Sequence, residues 1–165
     1  ELALENRCIK LLAMRQPVAS DLRFVTTAIK INADLERIAD NAVNIAERAL
    51  ELNEEPILKP YIDIPRMAET ASNMLRDVLD AFVRQDANKA VEVIKADEIV
   101  DDLNSQIFRE LLTFMLEDPH TISRAIRIMF VSKYLERIAD HATNIAEMVI
   151  YMVTGRSVRH QLPEV

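Results

Sequence analysis

Glu36 and Asp40 stand four residues apart, Glu136 and Asp140 repeat that spacing one hundred positions later, and Asp97 with Asp101 makes a third such pair. On a helix, residues i and i+4 share a face with Cβ atoms about 6 Å apart, so each pair holds two like charges side by side at a cost of roughly 0.2–0.5 kcal/mol. Each pair is able to chelate or share a hard cation. An all-oxygen donor set favours Mg, Ca, Mn or iron over the Cys/His sets that zinc usually takes. The competing reading is a solvated acidic face on which Arg37 and Arg137 form i,i+3 pairs with Asp40 and Asp140.

The repetition extends beyond the acids. Residues 35–47, LERIADNAVNIAE, return at 135–147 as LERIADHATNIAE, with 11 of 13 positions identical, so the chain carries two copies of one unit. At 100° per residue, Leu35, Ile38, Ala39, Ala42, Ile45 and Ala46 fall on one arc of a helix. Glu36, Asp40, Asn44 and Glu47 fall within a strip roughly 80° wide on nearly the opposite side. The duplicated carboxylates are therefore expected to point away from their own helix's core.

Composition narrows what must position these groups. One Gly in 165 residues and an aromatic content of 5% favour long helices over strands and tight hairpins, and a hydrophobic content of 50% supplies ample core, so the fold class is all-α. A net charge of -7 without a Lys/Arg cluster argues against nucleic acid, and the basic tail at residues 156–160 is too small to reverse that. A single cysteine, Cys8, excludes an intramolecular disulfide and suits a reducing cytoplasm. No apolar run reaches the ~18 residues of a membrane span and no signal-peptide pattern opens the chain, so membrane association is expected only through partners.

Prolines punctuate five segments. Helices are expected over 1–15, 18–53, 65–85, 87–117 and 120–154, with Pro17 and Pro119 at breaks, Pro56, Pro60 and Pro65 in the connector, and Gly155 as a C-cap. Their stripes are Leu4, Cys8, Leu11 and Leu12 on the first, Met67 through Phe82 on the third, and Ile99, Val100, Leu103, Ile107 and Leu111 on the fourth. The domain reading is a first unit of two helices over 1–55 and a second of three over 61–160. A three-helix bundle short of one helix exposes an apolar face, so the intact protein is expected to supply a further helix or a partner to cover it.

Other groups with chemical potential have plainer readings. Cys8 reads as a buried thiol and the seven methionines as core filler, while His120 and His160 read as exposed. No nucleophile, base and orienting group share a spacing, so no catalytic residue is assigned and the protein is read as a non-enzyme. A carboxylate-bridged di-iron bundle needs Glu-x-x-His, whereas the residues three past Glu36 and Glu136 are Ala39 and Ala139. A structural helical scaffold, or a carboxylate metal protein without a signalling role, is the alternative.

The two motif copies, together with Gln16-Pro17-Val18-Ala19-Ser20-Asp21-Leu22-Arg23, resemble the PhoU family of phosphate-signalling regulators over essentially the whole chain. The resemblance implies a tandem of two antiparallel three-helix bundles, here with the first lacking its N-terminal helix. It implies a metal ion, iron, Mg, Mn or Zn, on carboxylate clusters. Carried over residue by residue, those clusters use Glu36 with Asp40, and Glu136 with Asp140 plus Asp97 with Asp101.

The resemblance further implies a cytoplasmic negative regulator of phosphate uptake and starvation signalling. Such a protein is a homodimer acting as an adaptor between the Pst transporter's ATPase subunit and the PhoR histidine kinase. The segment of Asp21 and Arg23, read as a loop, is the candidate partner contact. Two departures stand out. Ala39 and Ala139 occupy the family's usual Gly position, and alignment of Pro17 on Pro119 puts the first-unit counterparts of Asp97 and Asp101 ahead of Glu1, so the first cluster has one pair only.

Overall fold

The computed structural model describes residues 2–157, and all regular structure among them is helical. The helices are α1 (Leu2–Arg15), α2 (Ala19–Asn53), α3 (Asp63–Arg84), α4 (Ala87–Glu117) and α5 (Ile122–Thr154), with a 3-10 turn at Pro119–Thr121. His160 and the end of the basic tail lie outside the described residues.

Local chemistry accounts for most boundaries. The Asp86 carboxylate accepts from the Lys89 amide at 3.0 Å and caps α4, while Gln85 takes the left-handed conformation that ends α3. Gly155, at φ 71°, closes α5 as its sequence position suggests, with its amide on the Tyr151 carbonyl at 2.8 Å. Two boundaries differ from expectation. α3 begins at Asp63, two residues before Pro65, because a proline in the first turn has no intrahelical amide to lose. The start expected at 120 is instead a 3-10 turn held by the Asp118 carboxylate, which accepts from the His120 amide at 2.9 Å.

Helices α3, α4 and α5 pack on one another as a three-helix bundle, α2 lies along α5, and α1 packs on α2. The α2 and α5 axes run antiparallel. Near the start of α2 the Arg23 Nε donates to the Met152 carbonyl at 3.0 Å, midway Asp34 meets His141 at 2.8 Å, and near its end Glu51 and Glu55 pair with Arg127. Ile31 and Ile38 of α2 join the core built by Met67, Val78, Val100, Ile107, Leu111 and Ile145. The Pro-rich connector is pinned too: Lys59 is buried against Glu110, and the Arg124 guanidinium donates to the Pro56 carbonyl at 3.0 Å.

Several residues expected in the core are outside it. α1 buries no residue fully, so Cys8 is half-buried rather than buried, and Met14 is exposed. Ile99, expected on the α4 stripe, is also exposed, because the true stripe runs through Val93, Val100, Leu103 and Ile107. Among the described residues α1 has only α2 to lie against, and one helix cannot cover an apolar face all round.

Candidate functional site

Four of the six carboxylates singled out by spacing come together. Asp97 and Asp101 on α4 face Glu136 and Asp140 on α5, close enough that each aspartate of the facing pair, Asp97 and Asp140, feels the charges opposite. Burial, then Asp101 and Asp140, push the half-buried Asp97 carboxyl up to about 6. Burial, then Glu136 and Asp101, likewise raise Asp140, with Lys133 offsetting part of the effect. Raised carboxyl pKa values are the signature of negative charge held closer and drier than is comfortable.

Two details bear on a cation. The Asp97 Oδ1 atom is buried and has no partner within hydrogen-bonding geometry, and the Thr143 hydroxyl, close enough to Asp97 to offset part of the rise in its pKa, is also buried and outside that geometry. An orphaned buried carboxylate oxygen among three further carboxylates fits the donor chemistry of a hard cation. Among the described residues, however, no three carboxylate, imidazole or thiolate groups converge as closely as a coordination shell requires. Lys133 meanwhile pairs with Glu136 at the edge of the face. Spacing alone pointed to neither Thr143 nor Lys133. The one signal at Thr143 is that the first copy has Val43 there.

The other pair is placed differently. Glu36 and Asp40 lie on the exposed face of α2, and α2 makes no backbone approach to α4 among the described residues, so they do not join Asp97 and Asp101. Asp40 and Asn44 instead share a stripe with Arg37 and Asn41, and this stripe and its hundred-residue image on α5 line one polar cleft of about 510 Å³ between the two helices. Arg37 and Arg137 make no ion pair with Asp40 and Asp140, contrary to the solvated-face reading.

Asp21 and Arg23 are not in a loop. Both belong to the first turns of α2, with Asp21 exposed and Arg23 half-buried. The Arg23 guanidinium ties α2 to the last turn of α5 through Met152 and lies 3.9 Å from where a Cβ on Gly155 would stand. Its first role is therefore internal. His120 is exposed, as read from the sequence.

A chain with this pair of motif helices has relatives. The sequence profile of the PhoU domain matches residues 1–49 and 64–149. A Pseudomonas putida protein named phosphate-specific transport system accessory protein PhoU homolog is 45% identical over 158 residues, covering 95% of this chain and 62% of that protein. The Aquifex aeolicus protein of the same name is 49% identical over 161 residues, covering 98% of this chain and 73% of the relative. This chain thus spans about two thirds of the length of such relatives.

Solved structures agree. The crystal structure of PhoU from Pseudomonas aeruginosa superposes with a TM-score of 0.87 at 43% identity, over 92% of this chain and 73% of that one. The PhoU phosphate transport system regulatory protein from Streptococcus pneumoniae gives 0.86 at 33% identity, over 94% of this chain and 73% of that one. With the profile spanning both motif copies and these identities holding across nearly the whole chain, the protein belongs to the PhoU family.

Proposed function

We propose that this chain works as an accessory and negative regulator of phosphate transport, binding partners rather than turning over a substrate. Its family consists of transport accessory proteins, not enzymes. In this reading the units at 1–55 and 61–160 are two PhoU-like repeats in the cytoplasm. A cation sits on the face of Asp97, Asp101, Glu136 and Asp140, and the protein docks on the Pst transporter's ATPase subunit and the PhoR kinase. A second copy of the chain covers the exposed apolar side of α1 and α2, where Leu2, Ile9, Met14 and Leu50 face solvent.

The observation that carries the cation reading is the buried Asp97 Oδ1 without a hydrogen-bond partner, beside carboxylates whose charge, with burial, raises the proton affinity of Asp97 and Asp140. A bound cation supplies the positive charge that cancels this repulsion. The four side chains would hold it, while Thr143 and the buried Ala139 and Ala142 keep water from one flank. Partner control then follows from differential affinity: the protein shifts a transporter or kinase only as far as it binds one state better than the other.

Calorimetry with Mn, Mg and iron(II) on chelator-treated protein tests the site. Uptake is expected in the parent, a loss of at least tenfold in affinity in Asp97→Asn, and little change in Asp40→Asn. Absence of uptake in the parent defeats the cation reading. Capture of neither the ATPase subunit nor the PhoR cytoplasmic region by the full-length protein defeats the adaptor reading.

A further inference from the structure

The cleft between α2 and α5 has a composition that the carboxylate face does not explain. Arg37 and Arg137 enter it from the two motif copies, in a chain with 27 acidic and 20 basic residues, where partners for a guanidinium are plentiful. Each has an aspartate three residues on, the usual helical partner, yet among the described residues neither guanidinium makes an ion pair or a side-chain hydrogen bond. The Asn44 and Asn144 carboxamides line the same space and are likewise uncommitted. His141 uses Nδ1 on Asp34 at 2.8 Å, which leaves its other ring nitrogen available. Two planar N–H forks and two amides make a donor set suited to a tetrahedral oxyanion, since guanidinium binds such oxygens two at a time, while the His141 Nε2, a lone-pair acceptor when Nδ1 donates to Asp34, is able only to accept from a hydroxyl.

Asp40 and Asp140 share the cleft and decide which oxyanion fits. A carboxylate repels a fully deprotonated anion, but it accepts a hydrogen bond from one that still carries an acidic proton. Inorganic phosphate keeps at least one P–OH at neutral pH, whereas sulfate has none. The cleft is open to solvent, with Arg37, Asp40, Arg137 and Asp140 exposed along it, and its volume of about 510 Å³ has room for a hydrated phosphate or a diphosphate. We propose that the α2/α5 cleft binds a protonated phosphate-type oxyanion on Arg37 and Arg137, with Asp40 and Asp140 accepting its hydroxyl and rejecting sulfate.

The proposal stands apart from the cation proposed on Asp97, Asp101, Glu136 and Asp140, with which it shares Asp140, although Asp40 too belongs to a carboxylate pair that the family resemblance gives to a metal. It is tested by calorimetry and phosphorus NMR on chelator-treated protein, at constant ionic strength, with inorganic phosphate and then sulfate as probes. Phosphate is expected to bind at least tenfold more tightly than sulfate. The double variant Arg37→Gln/Arg137→Gln should lose at least tenfold in phosphate affinity, and Arg37→Lys/Arg137→Lys should lose nearly as much because the charge survives but the fork does not. Asp40→Asn should narrow the phosphate-to-sulfate ratio toward one. Arg66→Gln, on α3, should change nothing.

These variants leave Asp97, Asp101, Glu136 and Asp140 intact, so cation uptake measured on the same proteins reports separately on that site. The inference is overturned if the parent takes up no phosphate, or if phosphate and sulfate bind alike. It is equally overturned if phosphate binds only after metal is added and with an affinity the arginine variants do not alter.

Discussion

The two copies of the duplicated motif are nearly the same in sequence and live in opposite surroundings. On α5, Ala139, Ala142 and Ala146 are fully buried, each at 0% exposure. On α2, Ala39, Ala42 and Ala46 are exposed, and Val43 stands 58% exposed where α5 has the buried Thr143 hydroxyl. Both helices offer the same small-residue surface for close approach, but only α5 has α4 laid upon it, and α4 brings Asp97 and Asp101 with it. The motif supplies half of a packed charge cluster. Small side chains let a neighbour come near, the acids wait one strip over, and the second helix completes both the packing and the charge cluster.

The largest expected effect tests the packing side of this contrast. Ala142→Leu, where there is no free space, should destabilise the protein by about 1–3 kcal/mol in urea unfolding, while the equivalent Ala42→Leu should stay within about 0.5 kcal/mol. Equal costs at the two positions would mean that α2 is covered in solution as α5 is covered by α4, which would bear directly on self-association.

Next comes the end-to-end tie between the motif helices. Arg23→Ala removes the donor to the Met152 carbonyl and should cost about 1–2 kcal/mol in the same assay, whereas Asp21→Ala, being exposed, should cost almost nothing. A double substitution would mix a folding defect with any loss of partner binding. Asp21→Ala is therefore the cleaner probe of docking: retained capture of the ATPase subunit in that variant would move the contact surface elsewhere.

The smallest expected effect concerns charge. Burial and its acidic neighbours lift Asp97 from 3.8 to about 6, so the folded chain holds this proton more tightly than the unfolded chain does. That contribution to stability is complete below about pH 4 and is lost as pH rises through about 6. Relative to Asp97→Asn, the metal-free parent should lose about 1 kcal/mol between pH 4 and pH 7, a figure reduced because the half-buried site is partly screened. Parallel pH profiles for the two proteins would show that Asp97 does not feel the opposing carboxylates, and would loosen the distinction between the two copies.

The spacing that marked Glu36, Asp40, Glu136, Asp140, Asp97 and Asp101 put the two acids of each pair on one strip and was silent about partners, and the arc expected to face the core holds on α5 but not on α2, where Ala39, Ala42 and Ala46 are exposed and Asn41 is buried. A helical wheel puts residues i and i+4 on one strip whatever surrounds the helix. It could not show that Asp40 and Asn44 turn into a cleft with Arg37 while Glu136 and Asp140 meet α4. It also placed Ile99 on the wrong side of its stripe, since a 31-residue helix offers more than one plausible apolar line. Asp21 and Arg23 fall within the helix expected over 18–53, and α2 places them there, so the loop reading attached to the family resemblance is the part that fails. What the sequence did not show is that Arg23 donates to the Met152 carbonyl and so ties α2 to α5.

The sequence by itself determined the all-α class, the duplication, the five helices to within a few residues and the acid pairs, because helical period, proline and glycine act over a turn or two of chain. Only the tertiary structure decided which acids share a face, which alanines are covered, that Lys59 is buried against Glu110, and that the arginines of both copies open into one cleft. Those outcomes depend on which helix lies against which, and two motifs with 11 identical residues carry no local information that distinguishes their neighbours.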